Sequence, residues 1–176
     1  MIMAVGCNSL FINIIRMKRI FYLFVLVAAG LLVSCEKSPK LEEGIVAEWQ
    51  LMDMTGCSGD LLPSVYIDFR ADKSFEIYQK VGDVMRYKKY TGEYTLSGTT
   101  LTGEYSDGED WGCTYKASFE ADGAILVLTA LETDKSGNVV SEGEVCKYTK
   151  ASLDQKEKDA ADVVTKSGEE ALRRFL

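Results

Sequence analysis

Beyond residue 44, apolar and polar positions alternate with period two, the pattern of strands with one buried face. Ile45, Ala47, Trp49 and Leu51 alternate with Glu48 and Gln50. Val65, Ile67 and Phe69 alternate with Tyr66 and Asp68, and Phe75 and Ile77 flank Glu76. Tyr90, Tyr94 and Leu96 share one face of a strand that starts near Arg86. Leu101 and Tyr105 share a face with Gly103 between them, and Tyr115, Ala117 and Phe119 alternate with Lys116 and Ser118. Ile125 to Leu131 is apolar on both faces, which leaves its orientation open. Val145 to Thr149 is the weakest of these eight patterns.

Turn residues separate the runs. Arg70-Ala71-Asp72-Lys73, Ser97-Gly98-Thr99 and Glu120-Ala121-Asp122-Gly123 read as short hairpin connections. Gly56 to Ser64, Val81 to Val84, Ser106 to Asp110 and Thr133 to Gly143 are mostly longer. Short and long connections alternate, and in a meander alternate connections lie at the same end. The pattern therefore predicts an all-β fold, an eight-stranded antiparallel up-and-down barrel over 44–150. One end is neatly closed and the other carries the long loops. Closure also removes sheet edges. A two-sheet sandwich shares the local pattern and stands as the structural alternative. Pro39 and Pro63 both fall outside the strands. From Ala151 to Leu176 the character changes. Ser152 and Gln155 form a capping-box pair, Ala160, Val163 and Val164 form a narrow apolar stripe, and Ser167-Gly168 reads as a stop. This predicts a C-terminal helical tail over 151–176.

Residues 1–34 read as a targeting segment. From Met17 the chain runs Met-Lys-Arg, followed by the uncharged run Ile20 to Val33. That run falls short of the ~20 residues of a membrane-spanning helix and fits a secretory core. The leading 16 residues read as an upstream start. Leu32-Val33-Ser34-Cys35 resembles the bacterial lipobox. The resemblance implies cleavage before Cys35 and acylation, of the palmitate type, on its thiol and new amino group. Acyl burial contributes ~0.8 kcal/mol per CH₂, so several chains suffice as an anchor. Residues 35–43, charged and containing Pro39, read as a flexible tether. The expected location is the bacterial cell envelope, as an outer-membrane lipoprotein, with neither leaflet indicated.

Charge narrows the partners. All 27 acidic residues lie after residue 34, against 17 of the 20 basic ones, so the body carries −10. That balance disfavours nucleic acid, which needs a basic face. The chain has no histidine, which removes the commonest general base and most zinc sites.

Four runs carry a resemblance to a family. They are Gly44-x-x-Ala47-Glu48-Trp49-Gln50-Leu51, Val65-Tyr66-Ile67-Asp68-Phe69, Tyr90-Thr91-Gly92-Glu93-Tyr94-Thr95-Leu96 and Leu101-Thr102-Gly103-Glu104-Tyr105-Ser106-Asp107-Gly108. Together they resemble lipocalin-like lipoproteins of Bacteroidetes-type bacteria, over roughly residues 44–150. The resemblance implies an eight-stranded antiparallel barrel. It also implies that Trp49 lies across the closed end under a basic residue, Lys147 or Lys150. The glycine of the family's Gly-x-Trp motif is Ala47 here.

The candidate ligand-binding residues are the inward aromatics Trp49, Phe69, Phe75, Tyr90, Tyr94, Tyr105 and Tyr115, with Phe119 on the same face. They either fill the barrel or line a site for one small ligand. Gly92 and Gly103, on inward positions, either leave room for that ligand or let the strands bend. Inward tyrosine hydroxyls need partners and are expected toward the open end, water or a ligand. Trp111, beside an acidic loop, is expected to be partly exposed. That loop, with Asp107, Glu109 and Asp110, reads as a solvated tip, with too few oxygens for a calcium cage. No strand shows an inward acid next to a base, and no glycine-rich phosphate loop opens a helix. The expectation is therefore a non-enzyme without metal or cofactor. Cys57, Cys113 and Cys146 all map to the long-loop end. Cys57 sits on a mobile loop able to reach either partner; Cys57–Cys113 is preferred because both flank glycine (Gly56, Gly112) at loop ends, and Cys57–Cys146 and three reduced thiols are the other readings. The functional expectation is a lipid-anchored envelope barrel that binds a small, partly apolar ligand in its open end. The alternative is a protein-interaction or scaffolding module with a filled interior.

Overall fold

Eight strands follow one another around a closed sheet: β1 (Ala47–Met54), β2 (Ser64–Phe69), β3 (Ser74–Lys80), β4 (Lys88–Ser97), β5 (Thr100–Tyr105), β6 (Tyr115–Glu120), β7 (Ile125–Ala130) and β8 (Val145–Lys150). Each pairs antiparallel with the next, and the β1–β8 pairing returns the last strand to the first. The fold is thus an eight-stranded antiparallel up-and-down barrel, and the sandwich alternative is excluded. The computed structural model describes residues 40–57, 62–82, 84–131, 143–165 and 175–176, all within the unit Ser38–Leu176. The targeting segment, Cys35 and the Ser167-Gly168 stop lie outside the described residues.

Alternation gives the barrel its inner face. Cross-strand rows run round the interior: Trp49–Ile67–Ile77–Tyr90, Leu51–Tyr148–Leu126–Phe119 and Leu96–Leu101–Tyr115–Ala130. The register shifts between Leu51 and Asp53. This bulge turns Met54 inward, where strict alternation from Leu51 would put Asp53. In β7 it is Leu126, Leu128 and Ala130 that face the core, which settles the ambiguous run. The β2–β3, β4–β5 and β6–β7 connections are short and lie at the end where β1 begins. The other connections are longer and lie at the opposite end.

Three boundaries differ from the sequence reading. The tether does not run flexibly to residue 43, because Leu41–Gly44 forms one turn of helix, α1. Its Leu41 packs on the core, so the apolar residue in an otherwise charged stretch docks the turn. Strand β4 starts at Lys88, not near Arg86. The tail over 151–176 is not one long helix. Among the described residues of the tail only Gln155–Asp159 is helical (α2), followed by the two-residue strand β9 (Asp162–Val163). The cap is Asp154, whose side chain accepts from the Lys156 N–H at 2.8 Å, and not Ser152. A stripe of Ala160, Val163 and Val164 is too narrow to hold a helix against competing hydrogen bonds. Strand β5 pairs with β4 only from Gly92 on, which leaves Lys88 and Lys89 an open edge. Strand β9 covers that edge in parallel, so Val163 turns outward and is 61% exposed.

The segment 151–165 also caps a second apolar cluster on the outside of the barrel. Tyr78, Tyr87 and Leu153 are buried there, with Tyr66 and Ala161 against them. Glu48 ties the segment down: one carboxylate oxygen accepts the Leu153 N–H at 2.7 Å and the other pairs with Lys158 at 2.8 Å.

Candidate functional site

At the short-loop end, Trp49 is fully buried. Its indole N–H donates to the Ile45 carbonyl at 2.8 Å, and Phe119 stacks on it at 5.9 Å. The Lys150 ammonium lies 5.3 Å from the ring centroid. Lys147 instead pairs with Glu120 on the outside, so the basic residue over the tryptophan is Lys150. Phe119 is only half-buried, since it stacks at the rim of this plug.

The remaining candidate rings form one connected box. Phe69, Phe75, Tyr90, Tyr94, Tyr105 and Tyr115 are all buried inside. Phe69 meets Tyr94 edge-on at 4.9 Å, Phe75 meets Tyr105 at 5.6 Å, and Tyr90 meets Tyr105 at 6.0 Å. Trp111 joins the groups, reaching Phe75 at 5.3 Å, Tyr115 at 6.2 Å and Phe69 at 6.4 Å. The expected exposure of Trp111 is therefore wrong: it is 5% exposed and sits at the centre of the box. Its main chain donates to the Gly103 carbonyl at 2.9 Å, which extends the pairing past β5 and turns the side chain inward.

The two inward glycines make this arrangement possible. A Cβ at Gly92 would lie 2.7 Å from the Phe75 ring and strike the Glu104 carbonyl; one at Gly103 would strike the Trp111 ring. The space they leave is filled by aromatic rings of the protein, not kept for a ligand. The sequence signal for Trp111 is Gly103: an inward glycine between Leu101 and Tyr105 needs a large partner from elsewhere.

The tyrosine hydroxyls are spent differently than expected. Tyr94 donates to the Arg70 carbonyl at 2.9 Å, in the short β2–β3 connection and not at the open end. The side chain reaches down the barrel, and burial raises its phenol above the ordinary value. Burial likewise pushes the Tyr115 phenol well up, and the adjacent Cys113 adds to it. Tyr105 donates to the Leu176 main-chain oxygen at 2.8 Å. The sequence reading missed this partner. Phe175 and Leu176 are buried within the same core cluster as the box, and Gly112 also donates to Leu176 at 3.3 Å.

The Cys57–Cys113 disulfide is not formed: Cys57, Cys113 and Cys146 are all in the thiol form. Cys57 is not on a mobile stretch, since its N–H donates to the Met54 carbonyl at 3.0 Å in a tight turn. Met54 bridges Cys57 on one side and pairs with Cys146 on the other. Two strand spacings of ~4.8 Å put Cys57 and Cys146 out of bonding range as well. Denaturant titration should therefore find all three thiols reactive without reductant. In native protein, alkylation should reach half-buried Cys57 first. A disulfide-linked peptide after digestion would contradict this.

Outside the barrel, an open groove of about 710 Å³ crosses β3 to β5, lined by Arg70, Glu76, Glu93 and Glu104 among others. Glu76 pairs with Lys89 at 2.8 Å and Arg70 at 2.9 Å, and accepts from the Tyr78 hydroxyl at 2.7 Å. Burial pushes its carboxyl up, but the Lys89 and Tyr78 hydrogen bonds and both cations outweigh burial and hold it below its usual 4.5. A depressed carboxylate stabilises the fold above its unfolded value and loses that contribution as pH falls. Glu76→Gln should therefore cost ~1–2 kcal/mol at neutral pH. The difference from wild type should shrink as pH drops below 4.5, in urea melts run at each pH. A gap independent of pH would contradict the ionic origin. Asp107, Glu109 and Asp110 lie in the β5–β6 connection, with the Glu109 N–H bound to Asp107 at 3.2 Å. Among the described residues no cluster of His, Cys, Asp and Glu could hold a metal ion.

Residues 45–128, from just before β1 into β7, match the model of the lipocalin-like domain family. No curated protein matches the chain.

Proposed function

We propose that the protein is a lipid-anchored barrel of the bacterial cell envelope that takes a small, partly apolar ligand into its interior. The match of residues 45–128 to the lipocalin-like domain supports the binding reading. The single observation that carries it is the occupancy of the aromatic box. Phe175 and Leu176 belong to none of the eight strands, yet they lie buried with the rings that line the barrel. Residues from outside the strands thus pack among the barrel's own rings, which supports a site for an apolar guest supplied from elsewhere. The tyrosines let such a guest carry a polar end. The anchor rests on Leu32-Val33-Ser34-Cys35 and the apolar run before it. Like the lipoproteins of Bacteroidetes-type bacteria that it resembles, the chain would sit at the outer membrane with its acyl chains on Cys35. The role is binding, without catalysis, metal or cofactor.

Native mass spectrometry of the protein purified from its own host tests the ligand. A bound mass of a few hundred daltons, lost on denaturation, supports binding. A clean apo mass together with a co-purifying protein would favour the scaffolding module. For the anchor, Cys35→Ser should release a soluble or unprocessed form. Membrane fractionation that survives both processing and this substitution would remove the lipid from the proposal.

A further inference from the structure

We propose that Phe175–Leu176 is a resident guest that competes with the ligand. The competing ligand class is then an apolar chain that ends in a carboxylate or carbonyl oxygen. This rests on the binding reading above and adds the chemistry of the guest and its control. Three observations carry it. The segment is as deeply buried as the barrel's own core, with Phe175 3% and Leu176 1% exposed. Both side chains are apolar, and they meet the same cluster as Tyr105, Trp111 and Cys113. The polar group of this guest is the Leu176 main-chain oxygen, which has two donors: the Tyr105 hydroxyl at 2.8 Å and the Gly112 N–H at 3.3 Å. One donor ends β5 and the other lies in the β5–β6 connection, so the cradle belongs to the long-loop end of the barrel.

An apolar body with a doubly held oxygen is also the outline of a medium-chain fatty acid. A Leu176 oxygen and a fatty-acid carboxylate would ask the same two groups for hydrogen bonds, and a carboxylate would draw stronger ones. The two guests cannot occupy the cradle together. The resident segment then lowers apparent affinity by the fraction of molecules in which the site is open. Control comes from whatever draws the segment out.

The test is calorimetric titration with decanoate and with decanol. The full chain is compared with the Phe175→Ala/Leu176→Ala variant. Weakening the guest should tighten decanoate binding by about tenfold, as expected if the site is open in about a tenth of the molecules. Decanoate should bind better than decanol, and Tyr105→Phe should reduce that preference. Equal decanoate affinity in the full chain and the variant overturns the competition while leaving binding intact. Binding of neither probe to either chain overturns the binding reading itself. Should the double variant fail to fold, hydrogen exchange on the unaltered full chain decides. Saturating decanoate should then raise deuterium uptake in the peptide that ends at Leu176. Binding without that rise overturns the inference.

Discussion

Replacing Trp49 by alanine should cost about 3–5 kcal/mol, among the worst single changes in the chain. The ring is fully buried between α1 and the start of the sheet. It stacks on Phe119, takes Lys150 over its face and holds the Ile45 carbonyl through its N–H. Alanine removes all four contributions at once and leaves a cavity where the barrel end cannot collapse, because the short connections hold it. Trp49→Phe separates the terms. It keeps most of the packing but orphans the Ile45 carbonyl, so it should cost about 1–3 kcal/mol. Urea melts of the two variants check the order. Equal and small losses would mean that the tryptophan does not seal this end.

Trp111→Ala should also cost about 3–5 kcal/mol, since the ring is 5% exposed and packs on Phe69, Phe75 and Tyr115. Here phenylalanine should behave differently from its effect at position 49. The Trp111 indole N–H is buried with no acceptor among the described residues. Removing an unsatisfied donor relieves a desolvation penalty of about 1–3 kcal/mol, which offsets part of the lost ring volume. Trp111→Phe should therefore fall well short of Trp111→Ala, with a loss smaller than that of Trp49→Phe. Gly103→Ala offers a coupled check. Its Cβ strikes the Trp111 ring, so the substitution should be less harmful in a Trp111→Ala background than in wild type. Additive losses would place the clash on the Glu93 carbonyl, 2.8 Å away, rather than on the ring.

The eight strands, their order and the alternation of short and long ends were legible because each rests on local rules. A period of two puts Phe69, Phe75, Tyr105 and Tyr115 on one face whatever they later touch. Turn residues then dictate where the chain reverses. Trp49 was readable for the same reason, as it lies within an alternating run. Trp111 was not, because it follows an acidic loop and has no strand pattern around it; its burial depends on main-chain pairing to Gly103 across β5. The cysteines failed on the same ground. Sequence places three thiols at one end, but the Met54 turn decides that Cys57 is held apart from Cys146. The segment after 150 shows the limit most clearly. Its composition favours helix, yet an open edge at Lys88 and Lys89 draws Asp162–Val163 into the sheet. The barrel's core cluster takes in Phe175 and Leu176. Local propensity there is worth a few tenths of a kcal/mol per residue. Burial of one phenylalanine is worth about 1.5–3 kcal/mol. The space that offers that burial exists only once the barrel has closed.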